Sequence, residues 1–190
     1  KDIDEGLIRR AKLLMLDGFL LAPTTTSGTD TGLIRQDLLT RILSLANYYG
    51  TTVALDVSLT RMAGGAAAFI ADMAKKYPLI LFMNESEATA FNCSLANSCE
   101  DAPDRLEEDE RYELLRSLCQ NGPFPIAVVK QAEKGVLVYA SGSKFKVPNL
   151  AKIPFDRTGC GDGFSAGFIS AWLNNQPIRS CAIMGNYIAR

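Results

Sequence analysis

Residues 156–163 read Asp-Arg-Thr-Gly-Cys-Gly-Asp-Gly and open directly into the largely apolar run Phe164 to Leu173. A junction of this kind, after a strand-like segment, presents backbone N–H groups at a helix start, where the helix dipole favours an anion. The glycines remove the side chains that would hold a phosphate away from that backbone. Asp162 is the odd member, because a carboxylate repels a phosphate and makes a poor binding group for one. An acid inside an anion cradle fits proton abstraction from a hydroxyl beside a phosphate, which points to phosphoryl transfer.

Composition narrows the alternatives. The chain has 190 residues and no histidine, so Ser-His and Cys-His catalysis within it is excluded and any general base is a carboxylate or a less usual group. That absence favours Asp162. The five cysteines (Cys93, Cys99, Cys119, Cys160 and Cys181) are odd in number and contain no CxxC pair, so neither a disulfide framework nor a zinc site is expected, and a cytoplasmic location is. A net charge of −1 offers no basic surface for nucleic acid. No apolar run approaches the roughly 20 residues that cross a bilayer, so no membrane partner is expected. The first residues lack the profile of a signal peptide.

The elements that must position the loop follow from hydrophobic period. Lys12 to Leu16, Thr52 to Val57, Pro78 to Met83, Pro125 to Val129 and Gly135 to Ala140 read as strands, the last two as a hairpin that Lys144 to Val147 extends. Leu33 to Tyr49 reads as a helix, with Ile34, Leu38, Ile42, Leu45 and Tyr49 at helical spacing and Gly50 as its C-cap. Further helices are expected at 66–76, after Asn84, up to about Cys119, at 162–174 and at 178–190. Residues 22–32 read as a surface loop, and the acidic cluster at 100–110 as a solvated helix start. Alternating strands and helices imply an α/β fold with a mostly parallel sheet covered on both faces. Ligands gather at the carboxyl ends of such strands. Asp56, Asn84, Lys130 and the 156–162 loop all fall there, so they are expected to share one crevice.

Other readings of the same residues stay open at this level. Gly161-x-Gly163-x-x-Ala166 formally matches a loose dinucleotide fingerprint, which would make this an oxidoreductase domain. Asp162 could be a helix cap. Asn84 and Glu87 have the spacing of an ordinary capping pair. Cys160 at a helix start could be a nucleophile, although packing accounts for it better. Arg157 could clamp a phosphate or face solvent. Lys130 could bring a cation to a phosphate or be a solvent-facing strand end. No Walker A sequence is present, since Gly142-Ser143-Lys144 lacks its upstream glycine.

Asp156-Arg157-Thr158-Gly159-Cys160-Gly161-Asp162 resembles the D-T-x-G-A-G-D signature of the ribokinase, or phosphofructokinase-B, family of sugar and nucleoside kinases. Asn84-Glu85-Ser86-Glu87 after a strand is similar to that family's N-x-x-E motif, and Asp17-Gly18-Phe19-Leu20 and Leu55-Asp56-Val57 occur where such kinases have strand ends. The resemblance covers nearly the whole chain and implies a ribokinase-like three-layer α/β/α fold. It implies ATP-dependent transfer to a hydroxyl of a sugar or nucleoside, with Asp162 as general base and the amides of Gly159, Cys160 and Gly161 as the anion hole. Asn84 and Glu87 would help organise Mg²⁺, through water, and the phosphates; Lys130, Gly135, Arg157 and Asn186 would lie on the nucleotide side. Asp156 would stand near a monovalent cation such as K⁺.

The sequence departs from the family pattern in places. Where the family carries a T-x-G-x-x-G-like run, this chain has Lys130-Gln131-Ala132-Glu133-Lys134-Gly135 and retains only Gly135. Cys160 replaces an alanine and Arg157 a small residue, changes that leave a backbone role intact. The run Leu16 to Leu20 is similar to the adenosine-kinase-type branch. By the resemblance, residues 1–190 are the central to C-terminal portion of a longer kinase core, without the N-terminal acceptor-gripping residues and the β lid that could pair as a homodimer. Little or no kinase activity is then expected of this portion alone, and a catalytically silent nucleotide-binding module is the competing reading.

Overall fold

In the computed structural model, the described residues are 3–21, 32–57, 66–96, 106–119, 126–149 and 158–189. Asp4 caps the first helix, its carboxylate accepting from the Leu7 amide at 3.2 Å. The order is then α1 (Glu5–Arg10), β1 (Leu13–Asp17), a 3-10 turn (Gly18–Leu21), α2 (Gly32–Tyr49), β2 (Thr52–Asp56), α3 (Ala66–Lys76) and β3 (Leu79–Asn84). It continues with α4 (Glu85–Ala96), α5 (Glu108–Cys119), β4 (Ile126–Lys130), a second 3-10 turn (Ala132–Lys134), β5 (Val136–Ala140), β6 (Ser143–Val147), α6 (Cys160–Leu173) and α7 (Ile178–Ile188). Of residues 22–32, read from sequence as a surface loop, 22–31 lie outside the described residues, as do Asp156 and Arg157, and Gly32 begins α2.

The strands form one sheet in chain order, β1-β2-β3-β4-β5-β6. The first four run parallel, and β4, β5 and β6 are antiparallel neighbours. Parallel neighbours need crossovers, and α2, α3 and the pair α4 and α5 lie in those connections. Successive side chains point to opposite faces, and both faces are covered. Val53, Leu55, Leu79, Leu81, Ala127 and Val129 pack with the first five helices. Ala54, Ile80, Phe82, Val128 and Val138 pack with α6 and α7. That double burial is why the central strands are continuous apolar runs rather than alternating ones. The result is the expected three-layer α/β/α arrangement.

On the second face Phe82, Phe164 and Phe168 meet, with ring centroids 5.3–6.2 Å apart. This cluster seats the first turns of α6 against the middle of the sheet. The other face holds one departure from the sequence reading. Helix α2 forms where expected and ends as expected, with the Thr51 amide returning to the Ala46 carbonyl at 2.8 Å. Its inward residues, however, are Leu39, Leu43 and Ala46, while Leu38 is 39% exposed. Two apolar stripes compete on this helix, and the one with the small Ala46 faces in, where a short side chain permits close approach.

Candidate active site

Register brings the polar strand ends together. Asp17 lies opposite Asp56, and Asn84 opposite Lys130, at the carboxyl ends of the four parallel strands. The two-residue period puts Asp56 on the same face as Ala54, and Asn84 and Lys130 on the face of Phe82 and Val128, which is the face α6 covers. Helix α6 starts there. Its cap is Gly159, at φ 75° and ψ −1°, with no side-chain cap bond. Asp162 is therefore not the cap. It lies in the first turn with its side chain exposed.

The start of α6 suits an anion. Its first internal bond runs from the Gly163 amide to the Gly159 carbonyl at 2.8 Å, so the amides of Gly161 and Asp162 precede the helix's own ladder. A Cβ built on Gly159 would meet nothing within 4 Å among the described residues, so the glycine answers the left-handed backbone. A Cβ on Gly161 would approach the Lys130 Nζ at 3.5 Å. Amide donors and a cation thus adjoin one another, and these residues fit a phosphate group.

Lys130 is not a solvent-facing strand end. Its Nζ donates to Asp56 Oδ2 at 2.6 Å, and the two side chains are only 14% and 7% exposed. The same Oδ2 accepts from the buried Ser165 hydroxyl at 2.9 Å. Ser165 was missed by sequence reasoning. Its signal is a lone hydroxyl between Phe164 and Phe168, on the stripe of α6 that must face the sheet.

Asn84 and Glu87 form a reciprocal cap at the start of α4. The Asn84 amide donates to Glu87 Oε2 at 2.7 Å, and the Glu87 amide donates to Asn84 Oδ1 at 2.8 Å. Burial pushes the Glu87 carboxyl above its ordinary pKa. The Asn84 amide and Lys130 pull it back, and the Asp56 and Asp17 carboxylates add to the rise. Glu87 therefore shares a field with Asp17, Asp56 and Lys130. Among the described residues no group of three or more Asp, Glu, Cys or His side chains could by itself hold a metal ion. The donor set fits a cation bound through water and phosphate rather than enclosed by protein.

Glu85 leads to a second buried pair. Its Oε1 accepts from Arg111 Nη1 at 2.6 Å and from Gln131 Nε2 at 3.4 Å. Arg111 belongs to the helix whose acidic start reads as solvated, yet its side chain is only 8% exposed. Arg111 Nε and Gln131 Oε1 are buried without a hydrogen-bond partner among the described residues.

The loop after β4 keeps the shape of a glycine-bearing turn. Gly135 sits at φ 91°, and a Cβ there would lie 2.0 Å from the Val147 carbonyl oxygen. Ala132 takes a left-handed φ of 49° where the family pattern has glycine. Asn186 is joined to the same region, its side-chain amide donating to the carbonyls of Val147 and Pro148 at 3.4 and 3.3 Å. Cys160, the first residue of α6, is half-buried.

Residues 4–190 match the pfkB family of carbohydrate kinases. An uncharacterized sugar kinase of Archaeoglobus fulgidus is 29% identical over 80 residues, 42% of this chain and 32% of that relative. A nucleoside kinase of Methanocaldococcus jannaschii is 32% identical over 59 residues, 30% of this chain and 20% of that relative. The crystal structure of adenosine kinase from Sinorhizobium meliloti superposes with a TM-score of 0.72 at 20% identity, covering 99% of this chain and 50% of that one. The chain therefore has that fold and spans about half the length of that structure's chain.

Proposed function

Because the chain belongs to the pfkB family of carbohydrate kinases, we propose that it carries the phosphoryl-transfer site of an ATP-dependent kinase acting on a hydroxyl of a sugar or nucleoside. The observation that carries this is the first turn of α6, where Asp162 stands exposed beside an amide cradle that adjoins Lys130. In this reading Asp162 takes the proton from the acceptor hydroxyl. The amides of Gly159, Cys160 and Gly161 stabilise the charge that develops on the transferring phosphoryl group, as fixed dipoles that need no reorganisation. ATP would supply the phosphoryl group, and Mg²⁺ would offset the charge of its phosphates.

Asn84 and Glu87 would hold that Mg²⁺ through water, since it sheds its hydration reluctantly. Lys130 and Gly135 border the nucleotide side, and Asn186 joins them through Val147. Asp156 and Arg157, outside the described residues, are assigned by the signature alone to a K⁺ ion and a phosphate clamp. A location in the cytoplasm accords with an odd number of cysteines and no CxxC pair in the sequence. The acceptor class rests on relatives named as a sugar kinase and a nucleoside kinase. The dinucleotide reading gains nothing from the described strands, which follow chain order without the reversal that makes a dinucleotide crevice.

The test is transfer of radiolabelled γ-phosphate from ATP to a panel of ribose, fructose phosphates, adenosine and inosine, using the full-length protein. Labelling of one acceptor class is expected. ATP binding with no acceptor labelled would favour a silent nucleotide-binding module instead.

A further inference from the structure

We propose that Lys130 is the fixed cation of the phosphoryl cradle, that Asp56 and Ser165 are positioning residues for its ammonium, and that its ligand is the terminal phosphate of a nucleoside polyphosphate. This rests on the kinase reading and adds to it a charge where the family pattern carries a neutral residue.

Removing a lysine ammonium from water costs several kcal/mol unless it is paired. Its partner is the buried Asp56 carboxylate, which would itself be costly without the lysine. The pair stands beside the cradle, and Ser165 holds the carboxylate that holds the ammonium. Asp56 Oδ2, at the end of β2, accepts from Lys130 Nζ at 2.6 Å and from Ser165 Oγ at 2.9 Å. Ser165 lies one helical turn after Asp162, so the ammonium is tied to the helix whose first turn forms the cradle. The Nζ lies 3.5 Å from where a Cβ on Gly161 would stand. An ammonium has three N–H donors in a tetrahedral array, so one can remain on Asp56 while the others meet phosphate oxygens.

The competing account is that Lys130 only neutralises a buried Asp56. The two are separated by measuring ATP and AMP binding calorimetrically to the wild type, Lys130→Met, Lys130→Arg, Ser165→Ala and the double variant Asp56→Asn/Lys130→Met. Lys130→Met leaves a buried carboxylate unpaired and is open to misfolding. The double variant removes both charges and guards against that outcome. We expect ATP affinity to fall about tenfold or more in the double variant, with AMP affinity unchanged. Lys130→Arg should retain part of it, and Ser165→Ala should weaken ATP less than the double variant while leaving AMP unaffected. A double variant that binds ATP as well as the wild type overturns the role of Lys130 and leaves the kinase reading standing. A wild type that holds ATP no more tightly than AMP, or does not bind it, overturns the kinase reading and this inference with it.

Discussion

Asn84 and Glu87 cap α4 from both directions, the Asn84 amide on Glu87 Oε2 at 2.7 Å and the Glu87 amide on Asn84 Oδ1 at 2.8 Å. The exchange engages one carboxylate oxygen of Glu87 and fixes the direction of the other. It also holds a carboxylate that burial drives toward its protonated form.

That opposition sets a pH dependence. The folded-state pKa of Glu87 is raised above its ordinary 4.5, chiefly by burial. Between that value and the raised one the folded state binds more protons, so stability falls as pH rises through the window and stays lower above it. Glu87→Gln keeps an oxygen to accept the Asn84 amide and cannot ionise. Urea denaturation at pH 4 and pH 7 should show the variant gaining on the wild type as pH rises. A gain in the opposite direction would refute the inward, desolvated placement. In the active enzyme the same variant should demand more Mg²⁺ for half-maximal rate.

Asp162 is exposed in the first turn of α6 and caps nothing. Asp162→Asn should leave stability near the wild-type value and lower kcat by about 10²–10⁴. ATP binding, measured separately, should persist. A near-wild-type kcat in this variant rules Asp162 out as the base.

Much of this arrangement is legible in the sequence because it is local. The apolar runs give the strands, the chemistry of Asp162 gives the loop its meaning, and Asn84-x-x-Glu87 is visible as a cap and as a family motif. The Ser165–Asp56–Lys130 contact is not visible. It joins residues 109 and 74 positions apart, and only the sheet register and the seating of α6 bring them together. The burial of Arg111 is hidden for a similar reason: its partner Glu85 lies 26 positions away, while its immediate neighbours are acidic and read as solvated. The face of α2 is ambiguous because two apolar stripes compete, and packing against the sheet decides between them.

The loop after β4 offers a paired test of backbone conformation. Gly135→Ala drives a Cβ to 2.0 Å from the Val147 carbonyl oxygen at a φ that L-residues avoid, and should cost on the order of 3 kcal/mol. Ala132→Gly relieves a left-handed φ of 49°. It should be neutral or stabilising, by up to about 1 kcal/mol, because glycine's greater freedom in the unfolded chain offsets part of the relief. Thermal melts of the two variants should move in opposite directions or leave Ala132→Gly unchanged.

Thiol labelling probes the cradle directly. Cys93, Cys119 and Cys181 are buried, and burial pushes the Cys119 thiol up to about 12. Cys160 is half-buried at the start of α6. In a Cys99→Ser background, iodoacetamide at pH 8 should modify Cys160 in the native protein and the other three only after unfolding. Saturating ATP should slow the reaction at Cys160. Mass spectrometry of the digested protein reads both effects.

The strands pair in chain order, and the helix that starts the cradle comes after all of them. During synthesis on the ribosome, Asp56, Asn84 and Lys130 emerge before residue 160, and the Lys130–Asp56 pair needs nothing translated later. Ser165 arrives last and locks that pair to α6. A nascent chain therefore carries its carboxylates and its lysine without an anion-binding helix start. On the kinase reading, nucleotide capture then waits until α6 docks on the finished strands.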